Sequence, residues 1–280
     1  MSRTERVGTG PTDETFESVY DALETERRRT EAERRAFDAF ADRVADVQPS
    51  GARRGSDPDR GGTAAASAIA APEPTFVSAP SAAASPLEAV RTAYEETVMS
   101  LPFYEDEYGD TYDESLREEF GPDVAAALTQ RSAFGPPVKR VLLAKAEEAR
   151  SERKLLLESC ERERESIEDA AAALLPVAEG LRSLEAIGFD AAEPSALDAY
   201  GARLSALRDT CERVAAARQA TIREHRATYG RATDTLDLCE YLYQPLPSTF
   251  PVLNACGALT RRIKDCEGRI ELAFDPERSA

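Results

Sequence analysis

The sequence predicts an all-α protein: an elongated antiparallel helical bundle with coiled-coil character and a disordered linker after its first helix. Apolar residues recur at alternating three-and-four spacing over several long stretches, the hallmark of amphipathic helices seeking other helices. No stretch shows the period-two alternation of a half-buried strand. The chain is 42% hydrophobic but only 7% aromatic, with no Trp, and its mean hydropathy is −0.46. Such a composition suits thin helical layers better than a thick globule.

Residues 1–11 read as a disordered N-terminus. A helix follows over residues 12–47, with Asp13 and Glu14 in its first turn, where carboxylates suit the helix dipole. Its seam runs through Phe16, Val19, Leu23, Glu26, Thr30, Glu33, Phe37, Phe40, Val44 and Val47. The ends of that seam are apolar and its middle, residues 24–35, is almost wholly charged, so the helix needs a partner to be stable. Residues 48–85 are rich in Pro, Gly, Ala and Ser and read as a flexible linker with a root-mean-square span of roughly 35 Å. A bundle domain of residues 86–275 follows.

Ser85-Pro86-Leu87-Glu88 has the form of a capping box with proline at the first helical position. Leu87, Val90, Tyr94 and Val98 give that helix its apolar face, and Pro102 stops it. Thr111-Tyr112-Asp113-Glu114 is a second capping box, opening a short helix that Gly121-Pro122 closes. One more short helix is expected over residues 123–131. The organising element is the stretch from Val138 to Ile187. Leu142, Ala146, Ala149, Leu156, Cys160, Ile167, Ala170, Leu174, Val177, Leu181 and Leu184 share its seam. A straight helix of that length runs roughly 75 Å. Arg153 and Glu163 break the seam, and Pro176 is expected to kink it. The C-terminal helices fall over residues 195–244 and 250–274, the last with Val252, Cys256, Leu259, Ile263, Cys266 and Ile270 on one face.

Asp and Glu number 52 against 35 Lys and Arg, a formal net charge of −17. Only Lys139, Lys145, Lys154 and Lys264 are lysines, leaving 31 arginines. Acid excess with scarce lysine resembles the proteomes of extreme halophiles, in whose salt the Debye length falls to about 3 Å or less and self-repulsion is screened. An acidic mesophile protein from a GC-rich genome is the alternative. The sequence shows neither a signal-peptide pattern nor a long uncharged apolar run, so a cytoplasmic protein without membrane partners is expected. The five cysteines are odd in number, lack a C-x-x-C, and mostly fall on helical seams. They read as buried free thiols acting as small hydrophobes, not as a disulfide framework or zinc site.

The densest chemical feature is residues 101–123, where nine carboxylates face one guanidinium, Arg117, and Phe103, Tyr104, Tyr108, Tyr112 and Phe120 are interleaved. An EF-hand started at Asp106 fails, because its third, sixth and twelfth places hold Tyr108, Thr111 and Arg117. The plain reading is a solvated acidic turn whose aromatics dock on the bundle. The other reading makes Tyr94, Tyr104, Glu105, Glu107, Tyr108, Asp110 and Tyr112 a ligand or partner surface. The lone His225 has no Ser, Cys or Asp at a meaningful spacing and reads as a helix-surface or partly packed residue. Gly8-Thr9-Gly10 lacks the strand and lysine of a phosphate loop. The two short helices joined by Gly121-Pro122 invite comparison with a helix-turn-helix, but their acidic surroundings are the wrong footprint for nucleic acid. The charged middle of the first helix and that of the long helix, residues 150–165, are candidates to meet and fix register.

Val90-Arg91-Thr92-Ala93-Tyr94-Glu95-Glu96-Thr97-Val98-Met99, Pro102 through Gly109, and Glu119-Phe120-Gly121-Pro122 together resemble a haloarchaeal family known only as a domain of unknown function. The resemblance covers residues 86–275. It implies an α-helical, coiled-coil-rich fold and a halophilic archaeal source, and it brings no catalytic or binding residue with it. With no catalytic, metal or cofactor residues to name, the sequence leads to a non-enzymatic interaction or scaffold protein that self-associates or binds a protein partner through its helices. The alternative is a regulatory protein that binds a ligand, cation or partner through residues 94–131.

Overall fold

A computed structural model describes residues 11–50, 85–131, 133–228 and 237–274. Among these residues there are nine α-helices and no strand: α1 (Pro11–Asp46), α2 (Pro86–Thr97), α3 (Tyr104–Glu107), α4 (Tyr112–Phe120), α5 (Pro122–Thr129), α6 (Pro136–Glu185), α7 (Pro194–Thr228), α8 (Leu238–Leu242) and α9 (Pro251–Phe274). A 3-10 turn at Phe189–Ala191 separates α6 from α7. The all-α expectation holds. The expected N-terminal disorder and most of the expected linker lie outside the described residues.

The chain forms two compact units. The terminal unit takes Met1–Thr30 and Lys154–Ala280, and the middle unit takes Glu31–Arg153. Both α1 and α6 thus contribute residues to each.

In the terminal unit, Phe16, Val19 and Leu23 of α1 are buried in one core with Ile167, Leu174, Leu181 and Leu184 of α6 and Leu204 of α7. Val252, Cys256, Leu259, Ile263, Cys266 and Ile270, the expected seam of α9, are all buried there, and α9 packs along α7. The helix α6 continues through Pro176, whose ring costs it one amide donor. Its C-terminal carbonyls are met by a cation, as the helix dipole favours: Arg269 donates to the carbonyls of Glu185 and Ile187 at 3.3 and 2.9 Å. All five cysteines are free and buried, and burial pushes the Cys160 and Cys239 thiols up to about 12.

The middle unit is organised by rings. Phe40 of α1 meets Tyr94 of α2 edge-on at 5.2 Å and stacks on Phe120 of α4 at 5.8 Å. Tyr94 also meets Tyr112 and Phe120, both at 5.8 Å. Each such pair is worth about 0.5–1.5 kcal/mol beyond its buried area. Both capping boxes form, Ser85 with Glu88 and Thr111 with Glu114. The end of α1 is closed by Lys139 of α6, whose ammonium donates to the carbonyls of Ala45 and Val47 at 2.5 and 2.9 Å. Among the described residues, two glycines take the left-handed region. Gly109 (φ 60°) ends the turn after α3, and Gly121 (φ 85°) makes the corner between α4 and α5.

Candidate ligand pocket

Within the acidic, aromatic segment the structure forms a helix that periodicity did not mark, α3. Its short turn puts Tyr104 and Tyr108 four residues apart, the Tyr108 amide donating to the Tyr104 carbonyl at 2.9 Å, while Glu105 and Glu107 fall on the other side and are exposed. The reversal at Gly109 then delivers Asp110. Together with Glu33 and Phe37 of α1, Val98, Leu101, Ser115, Glu118 and Glu119 of α4, and Arg153 of α6, these residues line a cavity of about 200 Å³. That is smaller than the roughly 300–1,000 Å³ of sites for drug-sized molecules.

Arg153 is the electrostatic centre. Its Nη1 and Nη2 form a fork on Glu119 at 3.0 and 2.5 Å, and its Nε donates to Glu33 Oε2 at 3.1 Å. Its guanidinium carbon sits 4.8 Å from the centroid of the Phe37 ring. Tyr108 donates its hydroxyl to the other Glu33 oxygen at 2.7 Å. One guanidinium is thus shared by two carboxylates. Burial raises the Glu119 carboxyl above its ordinary value against the pull of Arg153, and Glu33 and Glu152 add to the rise. The Arg153 guanidinium is raised as well, because the carboxylates outweigh its desolvation.

Tyr94 is fully buried, and its hydroxyl shares a 2.8 Å hydrogen bond with Ser115. The hydroxyls of Tyr104 and Tyr112 are buried with no hydrogen-bond partner among the described residues. Burial pushes the Tyr112 phenol up to about 12, and Arg91 lies over its ring at 5.0 Å. Tyr104, 5% exposed, is among the residues lining the cavity; burial raises its phenol most, Ser115 close by pulls it back, and the nearby Asp110, Glu119 and Glu105 carboxylates add to the rise. Of the seven residues expected to form a surface, the structure brings Tyr104, Tyr108 and Asp110 together on the cavity. Tyr94 and Tyr112 belong to the core behind it, and Glu105 and Glu107 lie away from it.

A second charged cluster, in the terminal unit, was missed. Glu163 is 0% exposed and accepts from Arg218 of α7 at 2.7 and 3.1 Å and from the Tyr243 hydroxyl at 2.6 Å. His225 Nε2 lies 3.2 Å from the same carboxylate without hydrogen-bond alignment. Burial alone would raise Glu163, but its contacts with His225, Arg218 and Tyr243 hold it at about 2. Glu163, expected as a counterpart of the charged middle of α1, is instead paired with α7, and His225, expected on a helix surface or partly packed, is fully buried. Arg153 does meet that middle, at Glu33.

Among the described residues, no group of three or more His, Cys, Asp or Glu side chains is placed to hold a metal ion, and no helix is long and apolar enough to cross a membrane. The fold and the cavity define an all-α protein whose middle unit encloses a small, acid-rich, aromatic-walled pocket. The chain belongs to the family described as domain of unknown function (DUF7260), whose model matches residues 14–267. The match starts inside α1, well before the segment that carried the resemblance. No curated protein and no solved structure matches the chain.

Proposed function

We propose that this is a non-enzymatic helical binding protein whose middle unit takes up a small ligand in the cavity between α1, α3, α4 and α6. The observation that carries the reading is the cavity itself, about 200 Å³, on which Glu33, Asp110, Glu118 and Glu119 stand against the single guanidinium of Arg153. The competing reading, self-association through α1, would draw on apolar residues that are already buried. Phe16, Val19 and Leu23 are buried in the core of the terminal unit, and Phe37, Phe40 and Val44 in that of the middle unit.

The test is amide chemical-shift mapping in multi-molar KCl with a mixture of cationic, neutral and anionic fragments of about five to eight heavy atoms. Shifts confined to Val98–Leu101, Tyr104–Asp110 and Ser115–Glu119 support the reading. Silence from all three classes would remove it.

The reading places the chain in the cytoplasm of a halophilic archaeon and keeps coiled-coil character for its long helices. Support comes from the net charge of −17 with four lysines, the five buried free thiols, which suit a reducing compartment, and the three-and-four spacing of α6 and α9. Helicity that rises steeply with KCl is the expected behaviour, and full structure in dilute buffer would contradict the halophilic part.

A further inference from the structure

We infer that the terminal unit carries a second binding site, a groove for a small zwitterion with one carboxylate and one ammonium on a short body. The groove, about 490 Å³, is walled by the first turns of α1, by residues 246–248 and by the first half of α9. That volume lies within the range of small-molecule sites. All of its walls belong to the terminal unit, and none of its residues lines the cavity of the middle unit. The inference is therefore independent of the binding reading above.

The walls offer one charge of each sign, Glu14 of α1 and Arg261 of α9. Neither forms an ion pair with any described residue, so neither charge is answered by the protein. A simple anion would meet Glu14, and a simple cation would meet Arg261. Only a ligand carrying both signs leaves no charge opposed. The Arg261 guanidinium folds back over Gly257, where a Cβ would meet its Nη1 at 3.6 Å. It thus lies along α9 toward the start of that helix, whose dipole also favours a carboxylate. Ser248 Oγ accepts from the Phe250 amide at 3.1 Å and from Asn254 Nδ2 at 2.7 Å, which leaves its own proton to donate.

Thr12 is an independent sign of a ligand. At 7% exposed it is the most enclosed polar side chain of the groove, and its hydroxyl has no hydrogen-bond partner among the described residues. Nor is that oxygen closed to solvent, since the sealed, unpartnered side-chain atoms lie at Tyr104, Tyr112, Arg218 and His225. A ligand reaches it and supplies the missing partner. The ammonium belongs at the Glu14 carboxylate. The Ser18 hydroxyl beside it donates to the Glu14 carbonyl at 2.8 Å and keeps its lone pairs open. Pro247, Ala255 and Ala258 give the body of the ligand an apolar wall. In concentrated salt K⁺ and Cl⁻ compete for each charge singly, and joining both charges on one body overcomes them.

The experiment uses the full chain in multi-molar KCl and four probes on one four-carbon skeleton. 2-Aminobutyrate and 4-aminobutyrate carry both charges, at short and long separation, while butyrate and n-butylammonium carry one each. Isothermal titration is combined with amide shift mapping. The expected result is saturable binding of at least one aminobutyrate, with shifts at Thr12–Ser18 and Ser248–Arg261, and roughly tenfold weaker binding of the singly charged probes. Thr12→Val weakens it roughly threefold to tenfold, and Arg261→Gln, at an exposed residue, roughly tenfold. Butyrate or n-butylammonium bound at these amides as tightly as the aminobutyrates overturns the zwitterion assignment. So does aminobutyrate binding that is indifferent to Glu14→Gln and Arg261→Gln together. Silence at these amides from all four probes overturns the site itself and leaves the middle-unit cavity to its own test.

Discussion

The two units each bury an arginine among carboxylates, and they do so to opposite ends. In the terminal unit one guanidinium, Arg218, answers one fully buried carboxylate, Glu163, and Tyr243 completes it. The charge is balanced, and the residue is held ionised deep in the core. An open groove beside it, with Arg162, Arg213 and Arg218 set against Glu165, Asp169 and Glu224, is balanced too. In the middle unit Arg153 is divided between Glu33 and Glu119, and Asp110 and Glu118, which form no ion pair with any described residue, stand on the same cavity. Arg218 Nε and His225 Nε2 lack a hydrogen-bond partner in the terminal cluster, as the Tyr104 and Tyr112 hydroxyls do in the middle unit. The lesson is that neither burial of charge nor an unpaired buried atom separates the two clusters; the balance of charge does.

Breaking the terminal cluster gives the largest effect. Arg218→Met leaves Glu163 buried without its guanidinium, with only Tyr243 and His225 beside it, and is expected to destabilise the chain by about 3–5 kcal/mol in urea titrations. A change below about 1 kcal/mol would show that Glu163 relaxes to solvent. Next comes pH. Glu163 sits at about 2 in the fold against an ordinary 4.5, so its folded pKa is depressed. Its contribution is fully present above about 4.5 and disappears as pH falls toward about 2, a loss of about 3 kcal/mol over that window. Comparing urea midpoints of the wild type and Glu163→Gln across the window isolates it, the variant giving the flatter profile. Tyr243→Phe removes one hydrogen bond to that carboxylate and is expected to cost about 1.5–3 kcal/mol. At the small end, Asp110→Asn should leave stability within about 0.5 kcal/mol while altering ligand binding. A strong destabilisation would make Asp110 a structural residue.

Much of the fold was legible because helices write their faces into local spacing. The ends of α1 and α9, the two capping boxes and the corner at Gly121-Pro122 all follow from residues within a turn or two of one another. The breaks in the seam of α6 at Arg153 and Glu163 were visible for the same reason. Their partners were not, because Glu33, Glu119, Arg218 and Tyr243 lie on other helices, and spacing along one helix says nothing of what another brings to it. His225 shows the point most plainly: alone in sequence, it is buried beside Glu163 from α6. The pocket was half legible. The interleaved acids and rings of residues 101–123 drew attention to Tyr104, Tyr108 and Asp110, but the α3 turn that separates them from Glu105 and Glu107 is one turn long and has no period to detect. The other walls, Phe37 and Arg153, come from α1 and α6.

The central claim, that the middle unit holds its surplus of carboxylates for a ligand and not for the fold, is tested most directly by Asp110→Asn combined with Glu118→Gln. Urea stability and the amide shifts induced by the fragment mixture are measured on the same preparation in multi-molar KCl. The account predicts stability within about 1 kcal/mol of the wild type, together with weakened shifts at Tyr104–Asp110 and Ser115–Glu119. A double variant destabilised by more than about 1 kcal/mol whose shifts match those of the wild type would show that these carboxylates serve the fold, and would contradict it.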